Sequence, residues 1–138
     1  MKNESNNLDN NTNNETDNII KNTAIDAANT EKAGAILLSL GYATFIKASN
    51  IDILEALDAN TTGITSFDIL TFGQRLTLLG YILLYIAASK RLNEKALANL
   101  FNCEENNLLA FEILKNSYLG SIIVNCIRLI QFSKLLNQ

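Results

Sequence analysis

Two stretches of this chain share an unusual pattern. Gly34–Ser49 reads GAILLSLGYATFIKAS and Gly73–Ser89 reads GQRLTLLGYILLYIAAS; superposed, Gly34, Leu37, Leu40, Gly41 and Tyr42 fall on Gly73, Leu76, Leu79, Gly80 and Tyr81. Seven residues is close to two turns of α-helix, so each pair of glycines shares one face, where a missing side chain lets another backbone approach. Glycine inside a helix costs about 1 kcal/mol relative to alanine, so four glycines at matched positions point to packing surfaces. Gly34, Gly41, Tyr42, Gly73, Gly80 and Tyr81 are the helix-packing residues on this reading. The chain has no proline to stop a helix, and no segment alternates at period two for long enough to demand a strand. The expectation is an all-α fold. Two similar apolar helices form an antiparallel hairpin, a third long amphipathic helix follows, and an Asn-rich tail precedes them.

Residues 1–22 are Asn with Ser, Thr, Asp and Glu, and contain only Leu8, Ile19 and Ile20 among strong apolar groups. Burial cannot offset the ordering entropy there, so the segment is expected to be a disordered spacer. Residues 23–138 then form a single helical domain. Thr23 or Thr30 can cap the first helix, expected over about 24–58, with a stripe of Ile51, Leu54 and Leu57 opposite Asp52, Glu55 and Asp58. Asn60-Thr61-Thr62-Gly63 breaks it, with Gly63 suited to the left-handed conformation that closes a helix. Thr65 and Asp68 make a capping-box-like start for a second helix over about 66–101. A third is expected over about 104–136, opened by Glu104 and Glu105 and interrupted by Glu112, Lys115, Arg128 and Lys134, with Glu112 and Lys115 spaced to pair.

Several functions are closed by composition. The 138 residues carry a net charge of −3, and the 11 Lys and Arg are scattered apart from Lys90-Arg91, so no basic field recruits nucleic acid. With no His, imidazole catalysis and His-ligated metals are unavailable, and no acid, base and nucleophile converge. No catalytic, cofactor or metal residue is therefore assigned, and the chain is read as no enzyme. The row Asp52, Glu55 and Asp58 has oxygen ligands for a hard cation, but reads better as a solvated helix face. Cys103 and Cys126 are too few and too far apart for a disulfide framework or metal knuckle, which fits a reducing compartment and apolar packing. Tyr85, like Tyr42 and Tyr81, reads as a packing residue. The amino terminus lacks the pattern of a secretory signal. Heavy use of Asn, Ile and Lys fits the AT-rich coding of a low-GC bacterium.

The apolar runs decide the environment. Spanning a hydrocarbon core takes about twenty apolar residues; the first run ends at Lys47, the second contains Gln74 and Arg75, and the third is too broken by charge for a clean span. Ser49–Asp68 contains no Lys or Arg, whereas Lys21 and Lys32 precede the first run and Lys90, Arg91 and Lys95 follow the second. The positive-inside tendency therefore places both ends in the cytoplasm, with the acidic connector outside. Lys90, Arg91 and Lys95 become candidate contacts for anionic lipid. The leading expectation is a non-enzymatic small helical protein of the cell membrane. It would associate with itself or another helical protein through its glycine faces, with lipid as its medium. The alternative is a cytoplasmic three-helix interaction or regulatory protein that self-associates, and the lesser one a holin-like or toxin-like membrane disruptor.

Overall fold

The computed structural model describes residues 2–135, with side chains from Glu15 onward. Among the described residues there are three helices and no strand: α1 (Lys2–Ala56), α2 (Ser66–Phe101) and α3 (Leu108–Leu135). α1 and α2 form the expected antiparallel hairpin. α3 runs back along α2, because Asn125 meets Gln74 while Leu114 and Tyr118 flank Leu84 and Ala88. α2 is the centre of the molecule; α1 and α3 pack on it and not on one another.

The capping box at the start of α2 forms as its residues suggest. The Thr65 amide donates to Asp68 Oδ2 at 2.9 Å, and the Asp68 amide donates to Thr65 Oγ1 at 3.2 Å. The bond from the Thr65 backbone amide, with the Thr65 hydroxyl second, holds the Asp68 carboxyl below its ordinary range. A carboxyl with a depressed folded value stabilises the fold above its unfolded titration and loses that contribution as pH falls through the lower folded value. The protection of the amides over 66–69, relative to their intrinsic exchange at each pH, is therefore expected to fall on acidification below about pH 4, and Asp68→Asn to remove most of that dependence.

Other boundaries move, each for a local reason. Thr23 and Thr30 do not cap α1; their hydroxyls donate back to the Ile19 and Asp26 carbonyls within a continuous helix. The chain is already helical from Glu15 through Asn22, so that part of the proposed tail is corrected to helix. The side chains of residues 2–14, and all of Met1, lie outside the described residues. α1 stops at Ala56, two residues short of the expected 58, and the residue that closes it is Asp58, not Gly63: Asp58 takes φ 52, its amide donates to the Glu55 carbonyl at 3.0 Å, and the Ala59 amide reaches Leu54 at 2.9 Å. These are the two bonds of the left-handed helix terminus, which aspartate tolerates better than most residues. Gly63 is left-handed too, at φ 70, but within the connector. α3 starts at Leu108, four residues later than expected. Asn107 Oδ1 accepts from the Ala110 amide at 3.2 Å, while Asn106 is tied to Asn99 upstream. Glu112 and Lys115 form no ion pair.

The distribution of side chains is inverted relative to a water-soluble core. The largest fully buried side chains are Gln74, Thr77 and Ser66, and the buried apolar residues are mostly alanines. Large apolar groups face outward on all three helices, among them Ile46 (68% exposed), Phe72 (56%), Ile123 (55%) and Ile130 (54%).

Candidate functional site

The helix contact between α1 and α2 is built on the four glycines. A Cβ placed on Gly34 would lie 2.9 Å from the Gly80 carbonyl oxygen, and one on Gly80 2.9 Å from that of Gly34. Gly41 and Gly73 oppose each other in the same way, at 2.9 and 3.0 Å. Each approach is to backbone, which cannot swing aside. Carried one heptad further each way, this register puts Ala27 by Ala87 and Ala48 by Ser66, all of them buried. The seam is thus a heptad of small residues, Ala27, Gly34, Gly41 and Ala48 against Ser66, Gly73, Gly80 and Ala87, a spacing that keeps one face inward when helices coil left-handedly. Thr77 lies across it, buried, with its hydroxyl returned to the Gly73 carbonyl at 2.9 Å.

Tyr42 and Tyr81 each follow a seam glycine. Side chains lean toward the start of their own helix, so in an antiparallel pair these two lean together, and their hydroxyls meet at 3.4 Å. Tyr42 also packs edge-on to Phe45, with ring centroids 5.8 Å apart. All six residues singled out for helix packing therefore lie at the contact between α1 and α2. Because they face one another within one chain, the glycine faces are closed to an outside partner.

Charged groups gather at the two ends of the hairpin. At the end away from the connector, Lys90 Nζ lies 2.7 Å from Asp26 Oδ2 and 3.0 Å from Thr30 Oγ1, and Arg91 clasps Glu31. Lys95 contacts the buried Glu94 at 3.0 Å. The three candidate lipid contacts thus already hold carboxylates. At the connector end, Glu55 takes the Ser66 amide at 3.0 Å and the Ser66 hydroxyl at 2.7 Å, with Asp52 behind it at 3.5 Å. Two of the three acids read as a solvated row therefore tie the end of α1 to the positive start of α2. Among the described residues no cluster of His, Cys, Asp and Glu is arranged to hold a metal. Cys103 is exposed and Cys126 half-buried, both unbonded. Tyr85 is half-buried on α2.

The contact between α2 and α3 is polar at its heart. Gln74 Nε2 donates to Asn125 Oδ1 at 2.6 Å and to its carbonyl at 3.2 Å, and Asn125 Nδ2 donates to the Ser121 carbonyl at 2.8 Å. Gln74 and Asn125 are both buried, Asn125 being the buried residue of a helix whose other described residues are half-buried or exposed. Sequence reasoning passed over this pair because it treated Gln74 as an interruption of an apolar run. It also missed the outer half of the seam, although the seven-residue recurrence of Ala27, Ala48, Ser66 and Ala87 is visible in the chain.

Two helices are long and apolar enough to cross a membrane, α2 and α3; their best 18-residue windows reach mean hydropathies of 1.5 and 1.2. α3 had been read as too interrupted by charge. It nonetheless carries such a window, of which only 6% is buried within this chain, so it is no core helix. α1, expected to be half of the spanning hairpin, has no window that qualifies. Compared with protein-family models, curated proteins and solved structures, the chain matches none.

Proposed function

We propose that this chain is a small helical membrane protein without catalytic activity, whose work is done by a preassembled helical unit seated in lipid. The inverted side-chain distribution carries this reading. Lipid solvates Ile46, Phe72, Ile123 and Ile130 as well as a protein core would, while Gly34, Gly80, Thr77, Gln74 and Asn125 supply the close contacts and hydrogen bonds that hold helices together there. The glycine seam serves assembly of the unit itself. Any association with a further helical protein uses the outer apolar faces.

The arrangement of α3 alters the expected topology. With α3 antiparallel to α2, Leu135 belongs to the connector end, so the two ends of the described chain lie on opposite sides of the bilayer in this reading. The cluster Lys21, Lys32, Lys90, Arg91 and Lys95 supports a cytoplasmic position for the opposite end. After expression and fractionation, the protein is expected in the membrane pellet and to stay there through a carbonate wash.

A rival reading rests on Lys32, Lys47 and Arg75, which are exposed amid the apolar surface. It makes the chain a soluble bundle that covers its apolar faces by self-association. That reading requires detergent-free solubility and a multimer by light scattering.

A further inference from the structure

Some basic residues are paired within the chain and others are not, a difference that the sequence does not show. Lys90, Arg91 and Lys95 are matched to carboxylates of this chain. Lys47 on α1, Arg75 on α2, and Arg128 and Lys134 on α3 are exposed and, like Lys21, Lys32 and Lys115 farther from the connector, have no ion pair or hydrogen bond among the described residues; the charge of Arg128 also acts on Tyr81. Helix register brings Lys47, Arg75, Arg128 and Lys134 into the connector half of the bundle. The seam that sets Gly41 against Gly73 puts Lys47 beside Phe67, and the bond from Gln74 to Asn125 puts Arg128 beside Thr71 and Lys134 near Thr65. With Arg75 itself they fall within about 15 Å of helix rise. Of the carboxylates at this end, Glu55 and Asp52 are engaged on Ser66 and Asp68 on Thr65, while the exposed Asp58 pairs with none of the four cations. Around the cations the surface is apolar, with Ile46, Phe72, Ile127 and Ile130 more than half exposed.

From this we infer that Lys47, Arg75, Arg128 and Lys134 form a girdle that binds the phosphates of anionic phospholipids at the connector end. The inference rests on the membrane reading above and goes beyond it by naming a lipid class and its residues. Long basic side chains on a lipid-facing helix extend along the apolar surface to the interface, where phosphate is the anion within reach. Lipid, not a soluble anion, is the ligand because the cations are spread around all three helices and converge on no pocket. A ring of headgroups around the helices satisfies them; a single small ion does not.

The full chain, purified in detergent, is first tested for membrane retention by carbonate wash and then incubated with equal phosphatidylglycerol and phosphatidylcholine. Bound lipid is counted by native mass spectrometry. A basic residue near an anionic interface contributes about 1 kcal/mol, or roughly fivefold, so wild type is expected to prefer phosphatidylglycerol at least about tenfold. K47Q/R75Q/R128Q/K134Q brings the ratio near unity, whereas K21Q, distant from the girdle, leaves it unchanged. In wild type the preference falls as sodium chloride rises, and glycerol phosphate does not displace the lipid. A retained protein whose quadruple variant keeps the wild-type preference overturns the girdle and leaves the membrane reading standing. Displacement by glycerol phosphate overturns the assignment to lipid. Release by carbonate overturns both readings together.

Discussion

Gly41→Leu is expected to separate α1 from α2. The first atom of any side chain there would stand 2.9 Å from the Gly73 carbonyl oxygen, a backbone atom, and would also overlap the Thr77 hydroxyl. Even alanine forces the helices apart, and leucine adds three further carbons to a seam that has no cavity for them. Overpacking of a well-fitted contact costs about 1–3 kcal/mol. Here the obstacle is a helix backbone, so the upper part of that range is expected, enough to lower the melting temperature by many degrees in a domain this small. Gly80→Leu is expected to do the same, since its Cβ meets the Gly34 carbonyl oxygen and the Leu38 side chain. The control is Gly120 on α3, where an added Cβ meets nothing within 4 Å; Gly120→Ala gains helix propensity, about 1 kcal/mol. Cysteines replacing Ala27 and Ala87, which share the seam's register, report the geometry directly. They should cross-link in the parent and in Gly120→Ala, and fail to in Gly41→Leu. Cross-linking that survives Gly41→Leu with unchanged melting would sink the seam.

The seam could be read from the chain because its cause is local and periodic. Four glycines at a seven-residue spacing name a helical face without any knowledge of the fold, and their duplication in two helices names the partner. The start of α2 was legible for a similar reason: Thr65 and Asp68 bond within four residues of chain. The end of α1 was legible to within two residues, but the residue that closes it was not, because two residues competed for one role. Gly63 is the better left-handed residue in isolation, yet Asp58 takes that conformation first, and Asn60 then orders the connector by accepting from the Thr62 amide. The acids Asp52 and Glu55 were misread because their partner, Ser66, is supplied by the next helix. The same limit hid the role of Lys90 and Arg91. Their carboxylates, Asp26 and Glu31, lie some sixty residues upstream and are brought near only by the antiparallel register.

The placement of α3 rests on the bond between Gln74 and Asn125, and breaking it is expected to release that helix. Gln74→Leu removes both donations to Asn125 and leaves its buried side-chain oxygen without a donor, while the Asn125 carbonyl keeps its partner within the helix. An unsatisfied buried polar group costs about 1–3 kcal/mol, although bonds between membrane helices average nearer 0.6 kcal/mol because the separated helices find other partners. A loss of about 2 kcal/mol is expected, confined to the contact between α2 and α3: amide exchange should rise across α3 while the glycine seam keeps its protection. The double variant Gln74→Leu/Asn125→Leu separates energy from specificity. With both polar groups gone there is no orphan, so much of the lost stability should return. The helices then lose the buried polar contact that fixes their register. Cysteines replacing Leu78 and Ser121, one turn along the register that sets Gln74 against Asn125, should cross-link in wild type and lose that selectivity in the double variant. If Gln74→Leu leaves α3 protected and in place, apolar packing alone positions the third helix, and the polar pair is incidental to the fold.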